Sequence, residues 1–167
     1  LCSFIMQSKD VINLTQALGE KFLMQNIILT TVESCTGGLL AAQLTNIPGS
    51  STWFDRGFIT YSNQSKVDCV RVKKSTINKY GAVSQQTANE MALGGIHNSQ
   101  GNLGLSITGI AGPSGGSKMK PVGTVFFAIA KKQNVIFEHQ SFFDGNRVDI
   151  REKALLFALN QLLALTL

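Results

Sequence analysis

Histidine, cysteine and charge are all scarce in this sequence, and each scarcity removes a class of protein. Histidine occurs twice in 167 residues. His97 closes a predicted helix in GIHNSQG and His139 sits in a predicted hairpin strand, neither with site-like neighbours, so a Ser-His-Asp triad has little to build on. The three cysteines, Cys2, Cys35 and Cys69, are odd in number and match neither a zinc motif nor a disulfide framework. A reducing cytoplasm is the expected setting, with no metal and no cofactor. Charged residues make up 15% of the chain and hydrophobic residues 44%, the balance of a globular fold rather than a disordered one. No apolar run approaches a membrane span, and the opening LCSFIMQSKD is too short in its apolar part for a signal peptide. Leu1 as a first residue suggests a trimmed or non-methionine start and carries no further weight. Basic residues form no compact run. The pairs Lys73–Lys74 and Lys131–Lys132 read as solvated surface, so the net charge of +5 suits an anionic small molecule as well as nucleic acid.

What is present alternates between two periodicities. Val11, Leu14, Leu18 and Phe22 recur at helical spacing from Ser8, a suitable cap, to Gln25. NIILTTV then reads as a buried strand, and Gly37 to Thr45 as a helix ended by NIPGSS. WFDRGFITYS is strand-like, NQSKVDCV and STINKY read as short helices, and Ser84 can cap a helix with Ala88, Met91, Ala92, Gly95 and Ile96 on one face. LGLSITG is another apolar strand. GTVFFAIA and NVIFEHQSFF, joined by KKQ, form a hairpin, and Asn146 can cap a last helix from Arg147 to Leu165. Strands alternating with helices, plus one hairpin, predict an α/β sandwich with a mixed sheet. No repeat, low-complexity tract or linker interrupts residues 1–167, which read as one domain.

Candidate chemistry gathers after strand ends, where open α/β sheets bind ligands. In TTVESCTGGLLAAQL, residues 30–44, Ser34, Cys35 and Thr36 follow a strand and Gly37–Gly38 open a helix. Backbone N–H groups at such a helix start can hold an anion or an oxyanion; a tight turn with Ser or Thr as cap accounts for the spacing equally well. Cys35 needs a cationic partner to become a thiolate, and Ser34 needs a base. With histidine poorly placed, a lysine of lowered pKa is the natural base. Lys66, after TYSNQS and near Tyr61, is the best candidate, although either residue also reads as an ordinary surface lysine or core tyrosine. A second glycine loop, GIAGPSGGSKMKPVG, follows another strand; it matches neither a Walker motif nor G-x-G-x-x-G. Two glycine loops after two strand ends suggest one crevice for a nucleotide-like ligand.

The segments ESCTGG, RGFITYSNQSKVDCVRV, GAVSQQTANEMALG, ITGIAGPSGGSKMKPVGTVFFAIA and FDGNRVDIREKA resemble, from about Ser8 to Leu163, the C-terminal domain of the competence/damage-inducible protein CinA. That family includes stand-alone nicotinamide-nucleotide amidohydrolases. The resemblance implies an α/β/α sandwich with a mixed sheet of five strands. It implies hydrolysis of nicotinamide mononucleotide to nicotinate mononucleotide and ammonia, in pyridine-nucleotide salvage. It implies Ser34 as nucleophile with Tyr61 and Lys66 as helpers, and Thr36, Gly37, Gly38, Thr108, Gly109, Ala111 and Gly112 around the ligand. Arg147 matches a family arginine suited to a phosphate. In the mechanism this implies, Lys66 takes the Ser34 proton, directly or through Tyr61, and N–H groups near Thr36 to Gly38 steady the oxyanion. Val32 and Ser114 depart from common family residues without removing a proposed catalytic group. The larger N-terminal domain of two-domain CinA proteins has no counterpart in these residues, so none of its activities is expected. Two other readings compete: a non-catalytic nucleotide-binding module in which Ser34 is only a cap, and a nucleic-acid binder, disfavoured because Trp53 and the phenylalanines fall mostly in apolar strand-like runs. The run FFAIA suggests an exposed apolar edge and hence a homo-oligomer; no membrane partner is expected.

Overall fold

A computed structural model describes residues 8–166. Helix α1 spans Lys9–Met24, and Ser8 caps it by accepting the Val11 N–H at 3.3 Å. Then follow β1 (Leu29–Glu33), α2 (Leu39–Thr45), a 3₁₀ turn (Ser50–Thr52), β2 (Phe54–Ile59), α3 (Asn63–Val70), α4 (Lys74–Tyr80) and α5 (Gln85–His97). The chain closes with β3 (Leu103–Gly109), β4 (Thr124–Lys131), β5 (Asn134–Phe142) and α6 (Arg147–Ala164). Asn146 and Asp149 form a reciprocal capping box on α6. Each expected element is present. The main boundary difference is at α2, which starts at Leu39 because Gly37 and Gly38 both adopt left-handed φ values, +61° and +94°, and turn the chain before the helix begins.

The five strands lie in the order β2-β1-β3-β4-β5. β1 pairs in parallel with β2 and β3, while β4 runs antiparallel to both β3 and β5. Four of the five strands therefore point one way and β4 alone points the other. Side-chain alternation along β4 shows the three layers. Val125, Phe127 and Ile129 join Leu103, Leu105 and Ile107 of β3 against α1, α2 and α6. Phe126, Ala128 and Ala130 face Ala88 and Ala92 of α5. The apolar run Phe126–Ala130, which suggested a self-associating edge, is instead an interior strand with both faces covered. Among the described residues no helix is long and apolar enough to cross a membrane.

Two features of this topology position the site. The connection from β1 leads to β2 on one side, and the connection from β3 leads to β4 on the other, so a crevice opens between the carboxyl ends of β1 and β3. On the α5 face, small residues let helices approach closely. A Cβ at Gly94 of α5 would lie 1.8 Å from the carbonyl oxygen of Val70, the last residue of α3. Gly94 thus sets how near α3 lies to the sheet. Gly94→Ala should force α3 outward and lower stability by about 2 kcal/mol or more, measured by urea unfolding; an unchanged midpoint would refute this close-packing account.

Candidate active site

The strand ladder holds Ser34 in place one residue beyond the end of β1. Its N–H donates to the Ile107 carbonyl of β3 at 2.9 Å, and the Glu33 carbonyl accepts the Thr60 N–H from the end of β2 at 2.8 Å. The chain then turns through Cys35, Thr36, Gly37 and Gly38, and the Gly37 N–H closes back onto the Ser34 carbonyl at 3.1 Å. Glu33, 1% exposed, folds its carboxylate under this turn. Its oxygens accept the N–H groups of Gly38, Leu40 and Ala41 at 3.0, 3.2 and 2.9 Å. The start of α2 is therefore already occupied by an anion of the chain itself. This corrects the expectation that the N–H groups from Thr36 to Gly38 face an oxyanion: those of Gly37 and Gly38 are spent. Among the described residues the N–H groups of Cys35 and Thr36 have no acceptor.

Lys66, on the first full turn of α3, is 1% exposed rather than a surface residue. Its Nζ lies 3.0 Å from Ser34 Oγ, and it donates to the carbonyls of Thr60 at 2.7 Å and Tyr61 at 3.5 Å. Neither of the two ion pairs among the described residues involves it. Burial without a carboxylate disfavours the ammonium form, and the Lys66 pKa falls from the ordinary lysine value to about 8. A neutral amine has two N–H groups and one lone pair. The two carbonyls take the N–H groups, and the lone pair is left for the Ser34 hydroxyl proton. Cys35, next to Ser34, behaves in the opposite way: burial pushes its thiol up to about 12, which keeps it protonated and a poor nucleophile.

Ser34 and Lys66 open into a cavity of about 330 Å³, within the range of small-molecule sites. Of the residues expected at the site, Tyr61, Thr108, Gly109, Ala111, Gly112 and Arg147 also line it. Thr36, Gly37 and Gly38 do not; they form the turn behind it. The Thr108 hydroxyl donates to the Ala82 carbonyl at 2.8 Å, tying the end of β3 to the segment before α5. Tyr61 is exposed, and its hydroxyl accepts from Arg147 Nη2 at 2.7 Å rather than meeting Ser34 or Lys66. Arg147 Nη1 donates to the Gly112 carbonyl at 2.8 Å, so this arginine bridges the two sides of the mouth and keeps three further N–H groups. Asn63, Ser114 and Gly115 are further wall residues. Asn63 was legible only as part of a helix start; Glu33 and Arg151, which touches the turn from α6, gave no periodic or spacing signal.

The two histidines lie elsewhere. His139 stacks on Phe157 with ring centroids 4.8 Å apart. His97 contacts Arg71 beside a larger cavity of about 660 Å³, which is lined by no hydroxyl or thiol. Among the described residues no three His, Cys, Asp or Glu side chains converge as a metal site would need.

A buried serine–lysine pair after a parallel strand, in a crevice beside a glycine loop, defines a hydrolase-like site on an α/β/α sheet. The family described as the CinA C-terminal domain matches residues 11–166, and the chain belongs to that family. It is 45% identical to the nicotinamide-nucleotide amidohydrolase PncC of Enterobacter agglomerans, over 92% of this chain and 94% of that one. It is 41% identical to the protein of the same name from Escherichia coli K12, over 94% and 95%. Among solved structures, the competence/damage inducible protein CihA of Agrobacterium tumefaciens superposes with a TM-score of 0.88 at 43% identity, covering 93% of this chain and 94% of that one. A CinA superfamily protein from Enterobacter cloacae gives 0.87 at 33% identity, covering 92% and 90%.

Two outcomes are expected from this geometry. Glu33→Gln replaces an acceptor-only group by one that offers N–H to N–H, and should cost about 2 kcal/mol in chemical unfolding. Cys35 should resist alkylation by iodoacetamide at pH 8 while the chain is folded; fast labelling with loss of function would refute the buried, protonated thiol.

Proposed function

We propose that this chain is a nicotinamide-nucleotide amidohydrolase, hydrolysing nicotinamide mononucleotide to nicotinate mononucleotide and ammonia in pyridine-nucleotide salvage within a reducing cytoplasm. The identity to two PncC proteins over nearly their whole length supports the activity. The observation that carries the chemistry is the buried contact of Lys66 Nζ with Ser34 Oγ at 3.0 Å.

In the proposed reaction, neutral Lys66 takes the Ser34 hydroxyl proton as Oγ attacks the carboxamide carbon. The contact is direct, so no relay through Tyr61 is required. The developing oxyanion accepts from backbone N–H groups beside Ser34. Lys66 returns the proton to the departing nitrogen, the C–N bond breaks, and ammonia leaves an ester on Ser34. Lys66 then draws a proton from water, which attacks the ester carbonyl and releases nicotinate mononucleotide, and the proton returns to Ser34. The unused N–H groups of Arg147, at the mouth of the cavity, suit the nucleotide phosphate. Tyr61 holds that guanidinium in place. Trp53 is buried at 2% exposure, so it offers no stacking platform for nucleic acid.

Ser34→Ala and Lys66→Met should each lower ammonia release from nicotinamide mononucleotide by about 10³-fold or more, and Lys66→Met should keep or raise the melting temperature because it removes a buried amine. Tight nucleotide binding without turnover by the unaltered chain would instead favour a binding module. The pH dependence has a fixed sign. The base form of Lys66 is required, and its pKa is lowered to about 8, so kcat/KM should rise tenfold per pH unit below about 8 and level off above it. At pH 7 about a tenth of the molecules carry the active amine. A rising limb near 10.5, or none, would remove Lys66 as the base.

A further inference from the structure

The larger cavity, of about 660 Å³, shares no lining residue with the one at Ser34. The two lie at opposite ends of β3. Ser34 is bonded to Ile107 near the carboxyl end of that strand. The larger cavity takes Lys132 and Gln133 from the turn between β4 and β5, and Lys131 just before them pairs with Leu103, the first residue of β3. The end of α3 and the second half of α5 supply the rest of its wall.

That wall is apolar in part and basic in part. Val70, Leu93 and Ile96 give it apolar surface, and Arg71, Lys73 and Lys132 give it three cations. None of the three belongs to either ion pair among the described residues. Glu90 is the one carboxylate on the wall, and it is engaged at the start of α4. Its oxygens accept the Lys73 N–H at 2.8 Å and the Thr76 hydroxyl at 2.7 Å. One negative charge against three leaves the wall positive. Arg71 Nη1 donates to His97 Nε2, and its other four N–H groups have no acceptor among the described residues.

Folding gathers these cations from separate places in the sequence. Lys73 and Lys132 come from the two lysine pairs that read as solvated surface, and each meets Arg71 at the same cavity. Two of them also sit where the backbone favours another residue. Among the described residues only Asn26, Arg71 and Lys132 adopt left-handed φ without being glycine, at +53°, +59° and +57°. Asparagine tolerates that region; arginine and lysine do so less readily, and glycine would relieve both. Both cations nonetheless stand on one cavity wall.

We propose that this cavity is a second ligand site, for a nucleoside diphosphate: Arg71, Lys73 and Lys132 meet two adjacent phosphates, and the base lies on Val70, Leu93 and Ile96. A guanidinium with free N–H groups suits phosphate oxygens, and lysines suit them as point charges. Three cations exceed the need of one phosphate, whereas the mouth of the Ser34 cavity is lined by the single arginine Arg147. The volume, twice the 330 Å³ at Ser34, leaves space for a base beside the phosphates. No group that acts in the amide hydrolysis lines this cavity, so the proposal stands apart from that reading.

Titration calorimetry with adenosine diphosphate, pyrophosphate and adenosine tests it, with nicotinate mononucleotide as competitor. Adenosine diphosphate should bind about tenfold or more tighter than either fragment, and saturating nicotinate mononucleotide should leave that affinity unchanged. Arg71→Gly and Lys132→Gly each remove a cation and suit the left-handed backbone. Each should keep or raise the melting temperature, leave ammonia release unchanged, and weaken adenosine diphosphate by about tenfold. Lys132→Glu should weaken it further, and Ser34→Ala should not weaken it. No binding at about 1 mM, displacement by nicotinate mononucleotide, or unchanged affinity in the Arg71 and Lys132 variants would overturn the proposal. Pyrophosphate binding as tightly as adenosine diphosphate would overturn the nucleoside part and leave a plain anion site.

Discussion

A primary amine removed from water is the constraint around which the site is arranged. Burial without a carboxylate destabilises the ammonium form and lowers the Lys66 pKa to about 8, and the fold must still supply acceptors for the N–H groups that either protonation state carries. It supplies oxygens. The carbonyls of Thr60 and Tyr61 are available because β2 stops at Ile59, and α3 begins soon enough after it that Lys66 reaches back over the strand end. Gly94 lets α3 lie close enough for that reach, since any side chain there would meet the Val70 carbonyl. Packing on one face of the sheet is thereby linked to the protonation state of a single nitrogen at its edge.

The opposite wall is governed by Glu33. A helix start after a parallel strand ordinarily attracts anions. Here a carboxylate from the strand itself fills that position and neutralises it. The donor groups left beside Ser34 are few, and the cationic groups nearby divide their tasks: Lys66 faces the nucleophile, Arg147 spans the mouth, and Arg151 braces the turn from behind.

Most of the fold was legible because its elements carry strong periodicity: the alternation along β4, the helical spacing in α1 and α5, and the caps Ser8, Ser84 and Asn146 all read directly. Individual residues were harder to place. Lys66 and Tyr61 carry no pattern that separates buried from exposed, and the structure gives them opposite environments. Two of the expected oxyanion donors, the N–H groups of Gly37 and Gly38, are taken within the turn itself, by the Ser34 carbonyl and the Glu33 carboxylate, and sequence order does not show a side chain folding back beneath its own turn. FFAIA looked like an edge because a run of apolar residues is the same whether a strand is covered on one face or two. Arg151 was hidden for a related reason: its partners are main-chain atoms more than a hundred positions away.

That last point has a wider bearing. Lys66 reads the carbonyls of Thr60 and Tyr61, Arg147 that of Gly112, and Arg151 those of Cys35 and Thr36. In each case a cation recognises the path of the main chain, which every amino acid carries alike. Substitutions at such positions leave the electrostatics of the site intact so long as the backbone keeps its course. Lineages of this fold can therefore drift in the side chains around the nucleophile, and so retune which ligands fit, without rebuilding the apparatus that handles charge.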